Sequence, residues 1–240
     1  MLSWAAKRKL LYGGVVIALF GTALVLFAAA FFYPKPANPV CDGPCPTAGA
    51  LSPIVHWTRV FRVREGVYSA VAYVENPNIN IVAHNVKYTF KLYDTDNVLV
   101  YEIHGQTYIP ARKAFGIFEG AIPVGSRLPT RAVFRFDEQP VWQPVVAISP
   151  ELNINNQSLS DEQSAPKLQA DIVNPSVADV NMTIEVIAIL YDASGDAIAS
   201  SKTIVDRLSS NQPNRLTFTW PEPFRSKVER IEILYKTPLI

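Results

Sequence analysis

Val86-Lys87-Tyr88-Thr89-Phe90-Lys91-Leu92-Tyr93-Asp94 decides the reading of the fold, because the chain says it twice. Ninety-eight positions later stands Ile184-Glu185-Val186-Ile187-Ala188-Ile189-Leu190-Tyr191-Asp192. The same offset carries Asn76-Pro77 onto Asn174-Pro175 and Ile122-Pro123 onto Trp220-Pro221. Short words repeated at one fixed spacing indicate two copies of one module.

Each copy reads as a β-hairpin. Val86, Tyr88, Phe90 and Leu92 alternate with Lys87, Thr89 and Lys91, the period of a half-buried strand. In the second copy Ile184, Val186, Ala188 and Leu190 take the inner face. There Ile187 and Ile189 make the outer face apolar as well, which suits a strand covered on both sides. Asp94-Thr95-Asp96-Asn97 and Asp192-Ala193-Ser194-Gly195 are four-residue turns. Asn97 and Gly195 share the place where positive φ is best tolerated, and the leading Asp can bond back into the turn. Val98-Leu99-Val100 and Ala197-Ile198-Ala199 open the return strands.

Working outward, module one spans 54–149, with strands expected at 55–63, 67–75, 84–93, 98–103, 115–122, 130–136 and 141–148. Module two spans 150–240, with strands at 167–173, 182–191, 197–205, 215–220 and 228–235. The polar run from Ser149 to Pro166 marks the boundary, although Leu152 and Ile154 could open a strand there. Short strands with turn signals at this spacing suggest two tandem immunoglobulin-like β-sandwiches, an all-β fold. A composition of 49% hydrophobic residues supports sizeable cores.

Ahead of the modules, Leu10 to Tyr33 contains no charged residue and would measure about 36 Å as a helix, enough to cross a hydrocarbon core of about 30 Å. Lys7-Arg8-Lys9 precede it. The positive-inside rule then keeps residues 1–9 in the cytoplasm, makes 10–33 a single transmembrane helix in the plasma membrane, and puts both modules outside. The competing reading is a cleaved signal peptide with Ala28-Ala29-Ala30 as the small-residue site. The apolar run is long for that, and bulky Phe31-Phe32-Tyr33 would follow the cut. Residues 34–53 form a Pro/Gly-rich stalk that holds the only cysteines. Cys41 and Cys45 suit a small disulfide loop outside the cytoplasm, with free thiols or an intermolecular bond as alternatives.

The formal net charge is +1, spread as +3 over 1–50, +2 over 51–150 and −4 over 151–240. Neither module has the basic excess of a nucleic-acid binder. The sequence holds no Gly-rich phosphate loop, His-Glu-x-x-His or Gly-x-Ser-x-Gly, so no catalytic, cofactor or metal residue is assigned. His56, His84 and His104 fall in different strands. Asp94, Asp96, Asn97 and Glu102 outline a calcium loop only in part and are better explained by the turn that both copies need. Arg59, Arg62 and Arg64 interleave with Trp57, Phe61 and Val63. They form either a contact edge for anionic lipid or an acidic partner, or the charged outer residues that keep an edge strand from aggregating.

Phe90-Lys91-Leu92-Tyr93-Asp94 after Asn76-Pro77 resembles the signature of FxLYD domains, immunoglobulin-like modules of bacterial and archaeal envelope proteins related in fold to desiccation-associated WHy sandwiches. The second copy departs from it, with Ala188 in place of the Phe. The whole layout also resembles single-pass envelope proteins of candidate-phyla bacteria, whose Cys-Gly stalk Cys41-Asp42-Gly43-Pro44-Cys45 matches in part. The resemblance implies no catalytic residues. The expectation is a non-enzymatic, membrane-anchored extracytoplasmic protein whose modules contact another envelope protein or a second copy. The alternative is a binder of a small apolar or lipid ligand held between the sheets.

Overall fold

The computed structural model describes residues 49–145 and 151–237, all within one compact unit, Pro46–Ile240. The cytoplasmic segment 1–9, the membrane segment 10–33, most of the stalk with Cys41 and Cys45, and residues 146–150 lie outside the described residues. Among the described residues there is no helix, hence none long and apolar enough to cross a membrane.

The fold is all-β. Seven strands come first: β1 (Ile54–Arg64), β2 (Val67–Asn76), β3 (Ile81–Tyr93), β4 (Leu99–Ile109), β5 (Lys113–Pro123), β6 (Arg131–Phe136) and β7 (Trp142–Pro144). Six follow: β8 (Asn153–Ser160), β9 (Lys167–Val173), β10 (Ile184–Tyr191), β11 (Ala197–Val205), β12 (Pro213–Thr219) and β13 (Arg230–Lys236). The first set forms sheets β1-β2-β5 and β4-β3-β6, with β7 on the start of β3. The second forms β8-β9-β12 and β11-β10-β13, the same strand order repeated. Each pair of sheets closes on its own core. Phe90, Leu92, Phe115 and Ile117 fill the first, and Leu168, Ile172, Ile184 and Leu190 the second, as the alternation requires.

Bond for bond, the repeated words do the same work. Asn76 and Asn174 are both buried at the end of the second strand of their module. Asn76 Nδ2 donates to the carbonyls of Ile81 and Pro110, and its Oδ1 accepts from the Asn78 N–H. Asn174 Nδ2 donates to Ala178 and Leu208, and its Oδ1 accepts from the Ser176 N–H. Asp94 accepts from the Asp96 and Val98 amides, Asp192 from those of Ser194 and Asp196. Asn97 and Gly195 have φ of 62° and 80°. A buried carbonyl without a donor costs about 1–3 kcal/mol, which is why an amide side chain recurs at the Asn positions.

Most strands shift their expected bounds by three residues or fewer, and β7 ends at Pro144 where a strand to 148 was expected; two elements differ further. Strand β8 lies inside the polar run assigned to the boundary. It is an edge strand in which Ile154 and Leu159 are half-buried while a register shift between Asn155 and Ser158 breaks the period of two. Strand β4 continues past Ile103 to Ile109. Gly105, within it, lies under the Tyr88 ring, where a Cβ would come within 2.4 Å of ring carbon.

A third apolar cluster joins the two sandwiches. Phe61 and Val71 with half-buried Trp57, Tyr73 and Phe118, on the outer face of β1-β2-β5, pack against Ile187, Ile189, Tyr191 and Leu234 of β11-β10-β13. The molecule is therefore four sheets deep with three cores. Trp57, Tyr73 and Gly116 form one row across β1, β2 and β5. They meet Tyr191 of β10, Glu232 of β13 (opposite Ile189) and Ile187 of β10, a line that follows the length of β10, so the strands of the two facing sheets cross.

Candidate functional site

The densest polar chemistry among the described residues lies on this inter-module contact, and its centre is Glu232 of β13. Tyr73 of module one donates to Glu232 Oε1 at 2.8 Å, and Tyr191 to Oε2 at 2.9 Å; Arg230 approaches Oε2 at 3.0 Å while its guanidinium lies 3.6 Å from the Tyr191 ring centroid. Burial pushes the Glu232 carboxyl up, but the three donors together outweigh it and hold the group below its ordinary range. Its stabilising bonds are thus complete at neutral pH and are lost as pH falls through that depressed value. Burial and the Glu232 carboxylate push the Tyr73 phenol up to about 12 and the Tyr191 phenol upward as well.

Two lysines close the far side of the contact. Lys236 is 6% exposed; its Nζ donates to Thr107 Oγ1 of module one at 2.6 Å and pairs with Glu185 at 3.4 Å. Lys113 of β5 places Nζ over the Tyr235 ring, and burial pushes its amine down to about 7. Gly116 lies close against the facing sheet: a Cβ there would stand 2.8 Å from Ile187 Cδ1, so the end of that side chain would have to shift.

The contact edge read from the sequence falls on β1. Trp57 packs on Tyr73 and sits edge-on to Tyr191, Arg59 donates to Asp196 at 2.7 Å, and Arg62 pairs with Glu222 at 3.2 Å. Three of the four named residues thus touch the second module of the same chain, while Arg64 is exposed at the end of β1. Both arginine pairs are open to solvent, so each contributes at most about 1 kcal/mol. The apolar contact supplies most of the stability, since fully burying one Ile is worth about 1.5–3 kcal/mol.

Tyr73, Glu232, Lys113 and Lys236 were not singled out from sequence. A signal existed in β13, where Ile231, Ile233 and Tyr235 alternate inward while Leu234 breaks the pattern on the outer face.

The histidines stay apart. His56 pairs with Glu75 at 2.8 Å, His84 stacks on Tyr108, and His104 bonds Thr89, which in turn donates to Asp137. Asp94 is held below the usual carboxylate range by the Val98 amide and then by Arg127 at 2.6 Å, the chemistry of a pinned turn. Among the described residues, no cluster of His, Cys, Asp and Glu could hold a metal ion. A shallow, open depression of about 310 Å³ lies beside Phe136, Asp137 and Glu138.

No family model matches the chain, and no curated protein does. Similar solved structures include Bacteroides uniformis beta-glucuronidase 2, at 12% identity and a TM-score of 0.26 over 72% of this chain and 24% of that one. Red sea bream transglutaminase is similar at 8% identity and a TM-score of 0.26, over 75% of this chain and 29% of that one. The chain spans about a quarter of the length of each.

Proposed function

We propose that the chain is a non-enzymatic, membrane-anchored extracytoplasmic protein of FxLYD type, whose two immunoglobulin-like modules act as one rigid display unit for contact with another envelope protein or a second copy. The observation that carries this reading is the inter-module core. Burying Ile187, Ile189 and Tyr191 against Phe61 and Val71 fixes the angle between the modules, which a passive pair of beads on a flexible linker would not need. The uncharged segment 10–33 supplies the anchor, residues 34–53 the standoff, and exposed strand edges the contact surface. Ring packing in the first core favours display over a ligand held between sheets: Phe90 and Phe134 centroids lie 4.9 Å apart, and Tyr88 and Phe134 5.6 Å apart.

The test is protease shaving of intact cells that express a C-terminally tagged chain, followed by crosslinking before lysis. The reading expects the tag to be removed from outside while the chain stays in the membrane fraction, with crosslinked species above monomer mass. A protected tag or a chain released to the medium would overturn the placement. Monomer alone would overturn the contact role.

A further inference from the structure

We infer that β4 is a pairing edge for a second copy of this chain: two β4 strands add antiparallel about a two-fold axis at Ile103 and join the β4-β3-β6 sheets of both copies into one. This rests on the contact role proposed above and deepens it by naming the surface and the partner.

Among the described residues, β4 pairs with β3 alone, so its other side is a sheet edge. From Tyr101 to Thr107 the register with β3 is unbroken, and the bulge at Val100 lies before that run. Such an edge presents a row of unpaired N–H and C=O groups, which proteins usually guard with Lys or other charges, with Pro, or with a bulge. The other edges of the four sheets are guarded: β1 and β6 carry arginines, β5, β11 and β13 lysines, β7 and β12 a proline, and β8 is broken by its register shift. Strand β4 has no Lys, Arg or Pro along its eleven residues. Its residues also say what fits. About an axis at Ile103, that residue meets its own copy, Glu102 stands opposite His104 twice, and Tyr101 stands opposite Gly105 twice. On the outer face an imidazole N–H can then donate to a carboxylate. On the inner face Tyr101, 36% exposed, gains the place beside the Tyr88 ring that already covers Gly105, an aromatic against a glycine. An axis one residue on would set His104 against itself and Glu102 against Gln106, without that match. A strand complementary to itself is what an isologous contact requires.

The second module is an internal control. Its equivalent strand, β11, has Ala199, Ser200, Ser201 and Lys202 where β4 has Tyr101, Glu102, Ile103 and His104. The same axis there would set Lys202 opposite Ser200, and the lysine guards the edge. Self-complementarity therefore belongs to module one alone. Its run ends at Thr107, which is buried and takes a hydrogen bond from Lys236, so the pairing spans Tyr101 to Gly105.

The test uses the full chain in detergent with Cys41→Ser and Cys45→Ser. Sedimentation velocity should show a dimer whose Kd rises about tenfold in His104→Glu, which sets carboxylates opposite carboxylates at both ends of the pairing. The His104 side chain is 67% open, so the variant keeps its fold, checked by circular dichroism. Register is read from single-cysteine copies, Glu102→Cys mixed with His104→Cys. Residues directly opposite have Cα atoms about 4.5–5.5 Å apart, within disulfide reach, while diagonal neighbours stand about 7–8 Å apart, beyond it. The mixture should therefore give several-fold more disulfide-linked dimer than either variant alone. A dimer with an unchanged Kd in His104→Glu, or equal crosslinking in the mixture and the single variants, overturns the edge. A monomer at every concentration also overturns it, and capture of another envelope protein by crosslinking in cells would then leave the contact role standing. With no crosslinked partner in cells either, the contact role and the edge fall together.

Discussion

Strands β3 and β10 are the same strand written for two surroundings. Their inner faces agree, with Tyr88, Phe90 and Leu92 in one and Val186, Ala188 and Leu190 in the other, all buried. Their outer faces diverge. Position by position, Thr89, Lys91 and Tyr93 of β3 correspond to Ile187, Ile189 and Tyr191 of β10. The first set faces outward, where Lys91 pairs with Glu102 and Thr89 with His104; the second is sealed against module one. Even the Tyr–Arg stack is shared, Arg131 over Tyr93 at 4.6 Å and Arg230 over Tyr191 at 3.6 Å. A few changes from polar to apolar on one face thus convert a free module into a docked one. A head-to-tail contact of this kind propagates unless its ends are capped. The outermost faces, with Lys87 and Lys91 on β3 and Gln169 and Asp171 on β9, are polar.

The largest effect is expected from making β10 resemble β3. Ile189→Lys buries an ammonium at a position with 0% exposure, where its cross-strand neighbour Glu232 already accepts from Tyr73, Tyr191 and Arg230, and should cost about 3–5 kcal/mol, seen as module two melting apart from module one by circular dichroism. Next come the paired caps. Asn76→Ala and Asn174→Ala each strip donors from two carbonyls and should each cost about 1–3 kcal/mol in urea titrations. Similar losses sharpen the equivalence of the modules; a loss in one only would break it.

A smaller, pH-dependent effect belongs to Lys113. Its folded value of about 7 lies below the unfolded value of 10.5, so the unfolded chain binds more protons between the two. Stability contributed through this residue therefore rises across that window and is flat below it. Lys113→Met should remove that rise, read as the difference in Tm between wild type and variant from pH 6 to about 10.5. The smallest effect is the reverse exchange: Lys91→Ile on the open face of β3 should change stability by at most about 0.5 kcal/mol while promoting concentration-dependent association in sedimentation velocity.

The same contrast explains what was legible. The double covering of β10 could be read from Ile187 and Ile189, because two consecutive apolar phases have no other use in a strand. What covers it could not. Trp57, Phe61, Val71, Tyr73 and Phe118 lie more than sixty positions away from β10, scattered over three strands, and sequence pattern carries no information on which faces meet. The turns were readable because a single backbone need, positive φ at Asn97 and Gly195, selects the residue locally. Strand β8 was legible only where it opens, at Leu152 and Ile154; the rest was not, because an edge strand with only Ile154 and Leu159 turned inward across a register shift has no period to detect.

Differential scanning calorimetry of the full chain in detergent tests the central claim most directly, that two copies of one sandwich are locked into a single unit through the outer face of β10. A single transition with equal calorimetric and van't Hoff enthalpies is predicted for the wild type, splitting into two in Ile189→Lys. Two independent transitions in the wild type, unchanged by that substitution, would contradict it.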